Sequence, residues 1–298
     1  MMRRGVVALL ALGALAASTW FASAPAQVSA ITLERVKQPG DAAAGRLVFY
    51  AAGCESCHQS AGQDDPLKLG GGRPLATPFG TFYPPNISQD RQDGIGAWSV
   101  QDFAEALLEG RTPTGQPYYP AFPYTSYTHL TPKDVRNLFA FLKTLPAVAG
   151  RAPPHDLKFP LNVRRGVGLW QALFFVRGPE AASASATLYA NGRGEYLVTG
   201  PGHCGECHTP RNALGALDAS RALTGAPAPD GKGKVPDITA HGLKDWSQAD
   251  VATALSSGFT PTGDSLGGSM AAVVRNMAQL PDDDINAIAR YLKTFGAP

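Results

Sequence analysis

The chain has 298 residues, enough for two domains of ordinary size. Its 33 glycines and 25 prolines point to many turns and irregular loops, so long helices and sheets alone will not organise its interior. With 26 basic and 24 acidic side chains the formal net charge is +2, which excludes the basic surplus that nucleic-acid binding requires.

Met1-Met2-Arg3-Arg4 is a short basic start, and Gly5 to Ala17 is an apolar run shorter than a membrane span. Small residues follow, and Ala24-Pro25-Ala26 offers a cleavage site after Ala26. Residues 1–26 therefore read as an export signal, which predicts a periplasmic protein. An uncleaved N-terminus, tethering the chain to a membrane, is the alternative. Cleavage removes Arg3 and Arg4 and no acid, leaving 24 basic against 24 acidic side chains. No later stretch is long and apolar enough to cross a bilayer, so a soluble body is expected.

A short helix around Gly45–Ala52 should lead into Cys54-Glu55-Ser56-Cys57-His58, and one around Gly194–Thr199 into Cys204-Gly205-Glu206-Cys207-His208. All four cysteines fall in these two C-x-x-C-H patterns, the attachment pattern of haem c. Two thiols three positions apart can add to the two vinyl groups of one porphyrin. The adjoining imidazole then lies under the ring as an iron ligand. Two disulfides, redox dithiols or one shared zinc are the competing readings. None of them calls for a histidine after each second cysteine. Two covalently bound haem c groups are therefore expected, with Cys54, Cys57, Cys204 and Cys207 as attachment sites and His58 and His208 on iron.

Ser99 with Asp102 forms a capping pattern for a helix that Gly110 should stop, and Ser247, Asp250 and Gly258 repeat it. Thr131-Pro132 opens another helix, with Val135, Leu138, Phe139 and Leu142 on one face. Pro281 opens its counterpart, with Ile285, Ile288, Ala289 and Leu292. Between the halves, residues 147–189 carry Leu157, Phe159, Leu161, Val163, Trp170, Leu173, Phe174 and Phe175. That is too apolar for a free tether. The segment is expected to pack along both halves; a docking surface for a partner or membrane is the rival reading.

The two halves repeat each other. Pro85-Asn86-Ile87-Ser88 matches Pro236-Asp237-Ile238-Thr239, and Trp98-Ser99 matches Trp246-Ser247. Gly110-Arg-Thr-Pro-Thr-Gly115 matches Gly258-Phe-Thr-Pro-Thr-Gly263, and Leu142-Lys143-Thr144 matches Leu292-Lys293-Thr294. No strong alternating strand pattern interrupts either half. With these landmarks both halves resemble class I cytochrome c domains. The resemblance implies an all-α fold, and with the signal at 1–26 and the apolar linker at 147–189 it gives a first domain at 27–146 and a second at 190–298. Thr77-Pro78-Phe79-Gly80 and Tyr119-Pro120-Ala121-Phe122-Pro123-Tyr124 further resemble the diheme cytochrome c subunits that accept electrons from periplasmic dehydrogenases.

Class I cytochromes c usually complete the iron with methionine, and only Met270 and Met277 remain after signal removal. The resemblance favours Met270 for the second haem, in Gly267-Gly268-Ser269-Met270; Met277 fits core packing. At the offset that aligns Gly110 with Gly258, Met270 corresponds to Phe122, which cannot bind iron. The candidates for the first haem are His129 on the same loop, one of Tyr118, Tyr119, Tyr124 or Tyr127, or an open position shielded by Phe122. His203 is expected to line the haem edge, and Trp98 and Trp246 to be core.

Electron transfer from a periplasmic dehydrogenase to another cytochrome or a terminal oxidase is the leading function. An enzyme with an open first haem, acting on peroxide or oxidising a small donor, is the alternative, and a gas-binding module the third. No phosphate-binding glycine loop or acyl-transfer triad is visible.

Overall fold

The computed structural model describes residue 13 and residues 23–60, 62–178, 192–228, 231 and 233–296. Most of the expected export signal, 1–12 and 14–22, lies outside the described residues, as does 179–191. Twelve helices and five short strands are present among them, so the chain is mostly helical. None of the helices is long and apolar enough to cross a membrane.

The first half opens with α1 (Ala30–Val36), capped by the Ser29 hydroxyl, and α2 (Ala42–Ala51), capped by Asp41. The cap places the start of α2 three residues before the expected Gly45. Helix α3 (Cys54–His58) carries the first Cys-His motif. Then come α4 (Val100–Glu109), the single turn α5 (Tyr124–Tyr127) and α6 (Pro132–Leu142). The second half runs α8 (Gly192–Thr199), α9 (Gly205–His208), α10 (Gln248–Ser257), α11 (Met270–Met277) and α12 (Asp282–Thr294). Helix α7 (Arg165–Phe174) lies between the halves.

The same devices build both halves. The Ser99–Asp102 and Ser247–Asp250 capping boxes both form, and Gly110 (φ 58°) and Gly258 (φ 82°) end their helices in the left-handed region that glycine adopts without strain. Helix α2 crosses α6 so closely that a Cβ on Gly45 would stand 1.9 Å from the Asn137 carbonyl oxygen. Helix α8 crosses α12 in the same way, with 2.1 Å from Gly194 to the Ala287 oxygen. These contacts bury Phe49, Val135, Leu138 and Leu142 in one half, and Leu197, Ile288, Ala289 and Leu292 in the other. Each of these side chains larger than alanine contributes roughly 2 kcal/mol by leaving water. The apolar faces expected for α6 and α12 are thus the buried ones. Trp98 and Trp246 pack against this core from partly buried positions.

Short strands supplement the helices. β1 (Leu75–Thr77) pairs antiparallel with β2 (Gly80–Phe82), and β3 (Asp156–Leu157) adds to the far edge of β2 through Gly80↔Leu157. β4 (Ala226–Pro227) pairs with β5 (Lys234–Val235). These pairings are two or three residues long, too short to leave an alternating pattern in the sequence.

The segment after residue 147 packs on both halves. Val148 and Gly150 carbonyls accept from the Asn86 amide (2.6 and 2.9 Å). In α7 the Gln171 amide reaches the Gly110 carbonyl (3.3 Å) and the Trp170 indole donates to Leu214 O (2.9 Å). Gly168 of α7 lies against the buried Ser23. Phe159, Leu173 and Val176 remain 81, 73 and 80% exposed.

Candidate functional site

Each Cys-His motif follows the C-terminal end of a helix, α2 in the first half and α8 in the second, and α2 ends three residues before Cys54. The four thiols are free, so no disulfide joins them. Among the described residues no three His, Cys, Asp or Glu side chains converge as a metal cluster.

The histidines are oriented identically. His58 Nδ1 lies 2.8 Å from Pro85 O, and His208 Nδ1 lies 2.8 Å from Pro236 O. A carbonyl only accepts, so Nδ1 carries the proton and the Nε2 lone pair is left free. Burial lowers the pKa of both rings, although the carbonyls pull the other way, so both imidazoles are neutral. A neutral, oriented imidazole with Nε2 available is the form an iron ligand needs. Each loop is fixed by two further matched bonds, one to its motif and one within the loop. Gly71 N and Gly225 N donate to the His58 and His208 carbonyls at 2.8 Å, and Ile87 N and Ile238 N donate to Leu69 and Leu223 at 2.9 Å. Burial pushes the Cys54 and Cys204 thiols up to about 12, so both stay protonated at neutral pH. These residues fit a haem attached by thioethers at each motif.

The two motifs also influence each other electrostatically. Burial pushes the Cys57 thiol up, Arg73 pulls it down and Cys207 of the second motif raises it again. The His203 ring, at φ 38°, stacks edge-on against Tyr127 (5.7 Å) and lies 3.2 Å from Ala52 O through Nε2. Tyr127 donates its hydroxyl to the same Ala52 carbonyl (3.0 Å). His203 thus stands at the seam beside the first motif's helix as well as next to Cys204.

The loops after α4 and α10 share a hairpin: Tyr118 N donates to Gly110 O (2.7 Å), and Leu266 N to Gly258 O (2.8 Å). Phe122 and Met270 follow four residues later in each. Met270 is half-buried at the first position of α11, whereas Met277 is 4% exposed within the core. Phe122 is half-buried against Tyr118 (5.4 Å), Tyr127 (5.7 Å) and Tyr124 (6.3 Å). Burial raises the phenols of Tyr118, Tyr119, Tyr124 and Tyr127 above their usual value, which opposes tyrosinate. His129 sits at the end of this loop, its Cβ 3.6 Å from where a Cβ on Gly200 would fall; burial lowers its pKa and Glu195 raises it. His155 is drawn into the first half, stacking on Phe82 and Tyr119 and accepting from Tyr83 N (3.1 Å).

Sequence reading missed the motif glutamates. Glu55 accepts from the Asn276 amide of α11 (2.9 Å), and Glu206 from the Thr125 and Ser126 hydroxyls of α5 (2.6 and 3.1 Å).

Comparison with known proteins agrees with this geometry. Residues 42–146 match the cytochrome c family. A diheme cytochrome c-type protein of Cereibacter sphaeroides is 49% identical over 304 residues, covering 99% of each chain. The gluconate 2-dehydrogenase cytochrome c subunit of Pantoea cypripedii is 37% identical, and the fructose dehydrogenase cytochrome subunit of Gluconobacter japonicus 35% identical. Both alignments cover 85% of this chain, which spans 59 and 52% of those subunits. The match along nearly the whole length of the Cereibacter protein, joined to two equivalently built Cys-His sites, places this chain in the diheme cytochrome c family.

Proposed function

We propose that the chain is an exported electron carrier built as two tandem class I domains, 27–146 and 190–298, joined by the segment 147–189. Cys54 and Cys57 hold one haem c and Cys204 and Cys207 the other, with His58 and His208 on iron. Bound haem supplies one-electron redox chemistry. The protein's part is to fix the ligands, exclude water and set access. The observation that carries this reading is the matched 2.8 Å bond from each histidine Nδ1 to a proline carbonyl, which leaves both Nε2 atoms free in the same way.

Met270 would hold the iron of the second haem with its thioether, and His129 is the candidate for the first. The donor is a periplasmic dehydrogenase, a proposal supported by relatives that are dehydrogenase cytochrome subunits. The acceptor is a downstream cytochrome or terminal oxidase, and the export signal at 1–26 supports the periplasmic setting. A second reading, an enzyme with an open first haem acting on peroxide or a small donor, is favoured by Phe122 at the place of Met270.

Electron paramagnetic resonance and optical spectra of the ferric protein, with and without cyanide and peroxide, test both readings. Two low-spin haems, one with a far-red methionine–iron band and neither reactive, support the carrier. A high-spin component that takes cyanide and consumes peroxide supports the enzyme.

A further inference from the structure

Of the glutamates inside the two motifs, Glu55 is buried and Glu206 is half-buried with its side chain 9% exposed, and each leaves its own half. Glu55 is 6% exposed, and its Oε1 accepts from Asn276 Nδ2 (2.9 Å). The same amide donates to Ser56 Oγ (3.0 Å) and to Ala272 O (2.9 Å), and Asn276 is itself 1% exposed. Asn276 lies on α11, the helix that begins with Met270. In the other direction, Glu206 Oε1 accepts from Thr125 Oγ1 (2.6 Å) and Ser126 Oγ (3.1 Å). Those hydroxyls lie on α5, three and four residues after Phe122. Arg211 holds the remaining oxygen of Glu206 at 2.6 Å.

We propose that Glu55 and Glu206 form a reciprocal clasp, in which the attachment motif of each haem holds the distal loop of the other. The inference rests on the haem sites proposed above and adds a coupling between them. A buried carboxylate tolerates loss of its donors poorly, because its charge then stands unsatisfied in a medium of low dielectric. The position of α11, and with it the thioether of Met270, is therefore held by a residue between Cys54 and Cys57. The position of α5 is held by a residue between Cys204 and Cys207. The two glutamates occupy different slots of their motifs, Glu55 directly after Cys54 and Glu206 directly before Cys207.

The clasp predicts crossed effects. Glu55→Leu, made in the motif of the first haem, weakens the far-red methionine–iron band of the second and lowers that haem's midpoint potential. Glu55→Gln keeps an amide oxygen for Asn276 and retains the band. Thr125→Val with Ser126→Ala alters the resonance of the first haem and spares the methionine band. All are measured on the full haem-loaded chain, with haem content by the pyridine haemochrome spectrum and potentials by optical titration. If Glu55→Leu fails to mature, Asn276→Leu removes the same bond from the other side, with the same loss of band expected. A normal band and unshifted second midpoint in a diheme Glu55→Leu or Asn276→Leu protein overturn the clasp. A wild-type protein with fewer than two haems, or with no methionine band, instead overturns the site assignment beneath it.

Discussion

The crossing of α2 over α6 sets where Cys54 emerges, and Gly45→Ala is the sharpest test of it. The added Cβ would stand 1.9 Å from Asn137 O, 2.4 Å from its carbonyl carbon and 2.9 Å from the Phe141 Cβ. An ordinary C···O contact is about 3.3 Å, so α2 must retreat by about 1.4 Å. The obstacle is helix backbone, not a side chain that can rotate. Overpacking of this kind costs roughly 3 kcal/mol or more. At about 4–8 °C per kcal/mol for a domain of this size, the melting midpoint of the first half falls by about 12 °C or more. Thermal unfolding followed in the Soret band reads the loss. Gly166→Ala on α7, where a Cβ meets nothing within 4 Å, serves as the control and is neutral or slightly stabilising. A Gly45→Ala protein that melts with the control would refute the close crossing.

Phe122→Met places a thioether where the second site has Met270; a second far-red band should appear, and an unchanged optical spectrum would show that residue 122 does not face the iron. Arg111→Leu strips the guanidinium from Glu105, which is 4% exposed, and destabilises the first half by about 3 kcal/mol in denaturant titration. The equivalent Phe259→Leu, at a 58% exposed position with no such pair, has little effect. Asp93 and Asp250 have pKa values held below the usual carboxylate range, chiefly by backbone N–H donors at Gly150 and Ser247. Depressed folded values mean their stabilisation is full above about pH 4 and disappears as pH falls through the folded pKa. Asp93→Asn and Asp250→Asn should thus melt lower than the parent at pH 7, with the gap closing in acid. A gap that widens in acid would reverse the assigned sign.

Local chemistry made much of this legible in the sequence. Ser99, Asp102 and Gly110 announce one helix and Ser247, Asp250 and Gly258 another, because caps act within a few residues of themselves. The Cys-His motifs likewise carry their spacing on one turn. What stayed hidden depends on residues far apart. Glu55 and Asn276 are 221 positions apart, and the repeat does not pair Glu55 with Glu206. Helix α7 has no side-chain cap at Arg164 and contains Gly166 and Gly168, so propensity gave it no signal. Tertiary contacts at Gly110 and Leu214 form it instead.

Those contacts of α7 have a kinetic consequence. Gln171 fastens the helix beneath α4 while Trp170 fastens it to the loop carrying Leu214, so α7 acts as a splint across the seam. A carrier whose redox centres must swing together slows as its solvent thickens. A splinted carrier has no such swing to wait for, and transfer between its centres should keep one rate in dilute buffer and in concentrated glycerol.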